Sequence, residues 1–279
     1  AEWYENQPNY ENANIVTLGE GENKTGIDAQ LQEISSGSTF TNSIGMEFVL
    51  IPSGTFMMGS PTSEFERSSD EIQHEVTLTK SFYLQTTEVT QGQWFAIMGS
   101  NPSYHNDCGD DCPVETVSWN DCQLFINELN QREETTKYRL PTEAEWEFAC
   151  RAGTTTPFYT GECLSTTQAN FSGSCPYTDD CPLGDSEHAT VAVKNFSPND
   201  WGLYDMHGNV WEWCQDWYGS YPPSSITDPA GSSSGDSKIL RGGCWGCCPG
   251  KCRSACRGGG GQAPNYRYVD FGFRVARDF

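Results

Sequence analysis

Thirteen cysteines, scattered from Cys108 to Cys256, constrain this chain more than any other feature. The count is too high for an ordinary cytosolic enzyme, and the scatter lacks the paired CxxC…CxxC spacing of a zinc site. An oxidising compartment and a disulfide-stapled fold follow. Because the count is odd, at least one thiol stays free or pairs between chains. No run reaches 18 consecutive apolar residues and no signal peptide is present, so the sequence reads as a mature or trimmed product that is secreted or held at the cell surface, with no membrane insertion.

Composition supports a loop-rich domain over a helical bundle. Trp 9, Tyr 12 and Phe 14 supply core material, while Gly 28 and Pro 15 demand many turns. The 38 acidic residues outnumber the 16 basic ones, for a formal charge of −22, so nucleic acid and anionic membranes are poor partners. Such a surplus of hard oxygen donors suits Ca²⁺.

Residues 1–42 are polar and acidic, and only Ile15, Val16, Leu18, Ile27 and Leu31 mark candidate strands. This arm reads either as a remnant of a preceding β-sandwich repeat, able to pair with a neighbouring sheet edge in self-assembly, or as a linker. Residues 43–279 read as one domain. Met46 to Ile51 is an apolar run, and Gly54 and Gly59 punctuate two strands expected to form an opening β-hairpin. Thr90 caps a helix with Gln91, Gln93 and Trp94 in its first turn, and a second helix is expected near Trp119 to Gln131. A third follows Pro141, where Thr142 and Glu145 make a capping box. After Gly153 regular patterning fades for about ninety residues, a length that needs disulfides or ions to hold it.

The motifs IGMEFVLIPSGTFMMGS, TTEVTQGQWFAIMGSNPS, PVETVSWNDC, YRLPTEAEWEFACRAG, GLYDMHGNVWEWCQDWY, ILRGG and GFRVA occur here in order. In that order they resemble formylglycine-generating enzymes and their non-enzymatic relatives. The resemblance implies an α+β, C-type lectin-like fold, loop-rich, with short strands and about three helices. It also implies two calcium sites, one from Asp205, Glu212 and the carbonyls of Gly208 and Val210, the other from Asn170, Asp185 and the carbonyls of Phe171 and Glu187. The enzymes use two cysteines five positions apart to bind copper(I), and Cys247 and Cys252 fall at that spacing. Here, however, Cys244 stands where those enzymes carry serine and Cys248 where they carry histidine. The non-enzymatic relatives imply instead a Cys150–Cys252 disulfide.

The segment CWGCCPGKCRSACRGGGGQAPNYRYVDFGFRVA also resembles the variable region of proteins diversified by retroelements, in which adenines of asparagine codons are randomised. That resemblance implies a displayed, variable face of Gly246, Cys247, Cys248, Pro249, Gly250, Cys256, Gly258, Gly259, Gly260, Gly261, Asn265, Tyr266, Tyr268 and Asp270. Trp245, Lys251, Arg253, Ser254, Ala255 and Arg257 would be fixed. The four-glycine run has no evident folding purpose, since each glycine raises the entropy cost of ordering a loop. The leading expectation is a binding module whose face, about residues 244–270, takes a protein or cell-surface ligand. The alternatives are a copper-dependent oxidase and a structural subunit of an extracellular assembly.

Overall fold

The computed structural model describes residues 38–279 and, before them, the backbone of two short antiparallel strands, Trp3–Glu5 and Asn14–Val16. Residues 1–35 and 36–279 form two separate compact units. The expected strands at Leu18, Ile27 and Leu31, and most of the proposed assembly arm, lie outside the described residues.

Within the second unit, a five-stranded antiparallel sheet runs in the order Thr39–Thr41, Glu47–Ile51, Phe82–Gln85, Ala276–Asp278, Tyr138–Arg139. The last strand of the chain thus closes the sheet that the first strands open. A second sheet holds Ile226–Thr227, His74–Leu78 and Gly54–Met58, and a third holds Lys238–Arg241, Trp211–Trp217 and Phe271–Gly272. The expected opening hairpin is therefore not formed. Phe48 to Ile51 are buried without alternation, as in a strand with partners and core on both sides, whereas Gly54–Met58 alternates. Pro52 lies at the crossing from the first sheet to the second, where its missing N–H leaves no gap in either ladder.

Three α-helices are present among the described residues: α1 (Gln91–Met98), α2 (Trp119–Arg132) and α3 (Glu143–Arg151). Each begins with a reciprocal capping box, Thr90 with Gln93, Ser118 with Asp121 and Thr142 with Glu145. Trp94 of α1 stacks on Phe125 of α2, and Phe273 meets Phe125 edge-on at 5.4 Å, building one half of the core. The other half gathers Trp146 of α3 with Phe82, Leu84, Met206 and Ile239. Unlike the other helices, α3 is buried along nearly its whole length although it carries Glu143, Glu147 and Arg151.

Residues 152–210 contain no helix or strand. A satellite cluster of Phe158, Leu164, Phe171 and Tyr177 packs them, and Cys163–Cys181 and Cys175–Cys248 staple them. Regular structure resumes at Trp211, well before the expected end of the irregular region. The first four residues of Trp211–Trp217 are buried in succession, so that strand shows no alternation to read.

Candidate functional site

Three buried arginines carry the segment between Arg241 and Phe271. Arg253 makes a bidentate pair with Glu71 at 2.8 Å for both bonds, adds Glu64 at 2.5 Å, and also donates to the carbonyls of Gly250 and Glu66. Arg257 grips Glu143 through Nε at 2.8 Å and Nη2 at 3.0 Å and lies 4.0 Å over the Tyr221 ring. Arg241 pairs with Glu147 and donates to the Cys256 carbonyl at 2.6 Å. Burial would push the Arg253 guanidinium down, but its hydrogen bond and ion pair with Glu71 more than offset this. Of the positions expected to be fixed, Arg253, Ser254, Ala255 and Arg257 are buried, whereas Trp245 is half-buried and Lys251 is exposed.

Along the segment Gly246, Cys248, Gly259, Asn265, Tyr266 and Tyr268 are exposed, and Cys247, Gly260, Gly261 and Asp270 are half-buried. The rings of Tyr266 and Tyr268 lie parallel at 6.3 Å and both rest against Phe271. The Thr116 amide donates to the Tyr268 carbonyl and that of Asn120 to Pro264, while Arg267 is paired with Asp121 at 2.6 Å. Beside Arg267 opens a hollow of about 380 Å³ lined by Trp94, Met98, Pro102, Thr116 and Asp121.

Four members of the expected face are not displayed. Pro249, Gly250, Cys256 and Gly258 are buried. A β-carbon on Gly250 would fall on the Glu66 carboxylate, and one on Gly258 would come within 2.7 Å of Leu240. Gly261 combines a φ of +78° with a β-carbon position 2.6 Å from the Lys238 carbonyl. Part of the glycine run thus serves close packing, contrary to the expectation that folding has no use for it.

The cysteines also depart from expectation. Cys108–Cys112, Cys163–Cys181 and Cys175–Cys248 are disulfides, and Cys122, Cys150, Cys214, Cys244, Cys247, Cys252 and Cys256 are thiols. Cys150 and Cys252 are not bonded to one another. The Cys150 sulfur lies 3.6 Å from Ser254 Oγ and 3.9 Å from His207 Nδ1, and burial pushes its thiol up to about 12. His207 Nδ1 donates to the Cys252 carbonyl at 2.7 Å while Nε2 accepts from the Tyr159 amide at 3.0 Å. Burial holds this imidazole neutral, with its pKa down to about 3.

Cys247 and Cys252 share the satellite cluster, and two thiols are donors of the right softness for copper(I). Their surroundings fit it poorly. Cys252 is fully buried, its sulfur so close to Gly243 that a β-carbon there would sit 2.5 Å away, and Cys247 packs against the core cluster that contains Cys244. The Cys244 thiol is pushed up by its neighbour Cys247, then by burial.

The structure collects the calcium donors only in part. Both Glu212 oxygens bond Arg274 at 2.7 Å, and Oε2 also accepts from Trp146 Nε1, so Glu212 is neutralised. Asp205 Oδ1, in contrast, is buried without a partner, as are Glu88 Oε2 and Asn170 Oδ1. Asn209 joins these groups by donating to Glu88 Oε1 and accepting from Asn170 Nδ2. Burial, then the Asp205 charge, pushes Glu88 well up, and burial pushes Asp205 up to about 6. Two buried carboxylates, each with an orphaned oxygen, are donors of the kind a hard cation takes. Glu88, silent in the sequence, is one of them, whereas Glu212 is neutralised by Arg274. Gly208 and Val210 lie buried in the same turn. The other expected set is split, since Asn170 and Phe171 are buried while Asp185 and Glu187 face solvent. Among the described residues no group of three His, Cys, Asp or Glu is arranged around a metal.

The family model of the Sulfatase-modifying factor enzyme 1-like domain matches residues 36–279. A serine/threonine-protein kinase pkn1 of Chlamydia pneumoniae is 31% identical over 228 residues, 71% of this chain and 33% of that protein. A formylglycine-generating enzyme of Streptomyces coelicolor is 36% identical over 176 residues, 60% of this chain and 52% of the enzyme. The chain therefore spans only a third to about half of the length of these relatives. Treponema denticola variable protein 1 superposes with a TM-score of 0.71 at 28% identity, covering 87% of this chain and 99% of that one. With this architecture the α+β, C-type lectin-like fold expected from the motifs is the fold found, and the chain belongs to the family of Sulfatase-modifying factor enzyme 1-like domains.

Proposed function

We propose that the domain is a secreted or surface-held binding module whose face, built from Gly246, Cys248, Gly259, Asn265, Tyr266 and Tyr268, takes a protein or cell-surface ligand. One observation carries this reading: buried arginines pin the segment at Arg241, Arg253 and Arg257, while Gly246 and Cys248 between the first two, and Gly259, Asn265, Tyr266 and Tyr268 beyond the last, are exposed. Tyrosine pairs suit such a face because they bring large contact area at small entropic cost. Likeness to a protein named for its variability supports diversification of the face by a retroelement. Sequencing the coding DNA of residues 244–270 in many isolates tests it. Variation should fall on the exposed positions, with a neighbouring template differing at adenines. Invariance there, or changes at Arg253 and Arg257, would remove the reading.

The second reading is a copper-dependent oxidase, favoured by the shared cluster of Cys247 and Cys252 and by likeness to a formylglycine-generating enzyme. Copper(I)-dependent oxidation of a cysteine peptide by the full chain, lost in Cys252→Ala, would establish it over the first.

A further inference from the structure

Cys244-Trp245-Gly246-Cys247 is a Cys-x-x-Cys sequence folded as a tight turn, with the Cys247 amide donating to the Cys244 carbonyl at 3.0 Å. A turn closed by that bond holds its first and fourth α-carbons within about 7 Å, which overlaps the span a disulfide needs. Cys247 also packs against the core cluster that contains Cys244. The two thiols differ in access: Cys244 is buried at 2% exposure, whereas Cys247 is half-buried and is followed by the exposed Cys248. Nothing lies within 4 Å of the position a β-carbon on Gly246 would take. Asp270 hydrogen-bonds the Cys244 thiol, and its Oδ1 has no partner.

We propose that Cys244 and Cys247 form a redox-active dithiol that exchanges electrons with low-molecular-weight disulfides and closes to a Cys244–Cys247 disulfide. The reaction balances on groups present. The Cys247 thiolate attacks one sulfur of the small disulfide, breaking its S–S bond, forming a mixed disulfide and releasing one thiolate. Cys244 then passes its proton to the Asp270 carboxylate and attacks the Cys247 sulfur, releasing the second thiolate. Two protein thiols are oxidised and one small disulfide is reduced to two thiols. The partially exposed cysteine is the entry point and the buried one resolves it. Oxidation would also free Cys252 of its neighbour and lock the turn at the edge of the exposed segment.

The test is a redox titration of the full chain in mixtures of oxidised and reduced glutathione, followed by acid quench, alkylation and peptide mass mapping. The expected result is one two-electron transition in which Cys244 and Cys247 lose alkylation together, and the peptide spanning them becomes lighter by a pair of hydrogens. Cys252→Ser should keep the transition, and Cys244→Ser should lose it, leaving a glutathione adduct on Cys247. Mapping of the new bond to Cys247–Cys252, persistence of the transition in Cys244→Ser, or alkylation of both thiols at every potential would each overturn the proposal. The mapping on the unaltered chain decides the matter even where Cys244→Ser does not fold.

Discussion

Arg253 shows how a single residue sets the shape of the candidate face. Its guanidinium answers Glu71 and Glu64 from chain segments more than 180 residues away, at 1% exposure, so its loss leaves two buried carboxylates uncompensated. Arg253→Ala should cost about 3–5 kcal/mol in urea unfolding, and Arg253→Lys should recover little of it, because an ammonium cannot make the paired bonds. Asp216 supplies a second residue-scale expectation. Burial, then the Glu143 charge, pushes its carboxyl up to about 7, opposed by the hydrogen bond from the Glu143 amide and by Lys238. From about pH 4, where the unfolded carboxyl loses its proton, up to pH 7, the folded form keeps a proton that the unfolded chain has shed. Its contribution to stability therefore falls as pH rises through that window and stays low above it. Melting temperatures of the native chain and Asp216→Asn should diverge between pH 4 and 7, with the variant flatter; parallel profiles would refute the assignment. Such roles are hard to read from sequence. Glu88 meets Asn209 across 121 residues, and nothing around Glu88 in the chain marks it as a partner.

At the scale of elements, what was legible is local. Thr90 and Thr142 announced their helices because a capping box needs only residues three apart. Strand pairing was not legible, since Glu47–Ile51 finds Phe82–Gln85 and Gly54–Met58 finds His74–Leu78 by packing that no local pattern encodes. The cap of α3 matters beyond its own helix, because that helix delivers Glu143 to Arg257 and Glu147 to Arg241. Thr142→Ala should lower stability by about 1 kcal/mol. The irregular stretch 152–210 behaves as an element as well, and Asn170 ties it to the turn carrying Asn209 and Asp205. If a calcium ion joins Asp205 to Glu88 there, removing it raises the free energy of the native state alone. Chelator should lower the melting temperature and added calcium restore it, while magnesium at equal concentration restores less. Unchanged melting in all three conditions would exclude the ion.

Across the whole molecule, stability and display are assigned to different residues of one short segment. Arginines Arg241, Arg253, Arg257 and Arg274 are all enclosed and matched to carboxylates, and they join distant parts of the chain into one framework. The Cys175–Cys248 disulfide crosses between these roles, since Cys248 is an exposed member of the face yet holds a loop 73 residues away in sequence. Disulfide connectivity has no local signature, which is why thirteen cysteines revealed a stapled fold without revealing its pairs. The remaining outward positions should carry little of the folding free energy, because side chains outside a close-packed interior can change without opening a cavity or straining a neighbour. Gly246, Asn265, Tyr266 and Tyr268 therefore form the critical set. Replacing all four by serine at once should shift stability by no more than about 2 kcal/mol, the sum of small surface effects. Trp213→Ala, at a fully buried site in the same domain, should cost about 3–5 kcal/mol. Urea unfolding of the two variants against the native chain reads both numbers directly. A fourfold serine variant as damaged as Trp213→Ala would mean that the exposed segment is part of the framework, and the division between scaffold and face would not hold.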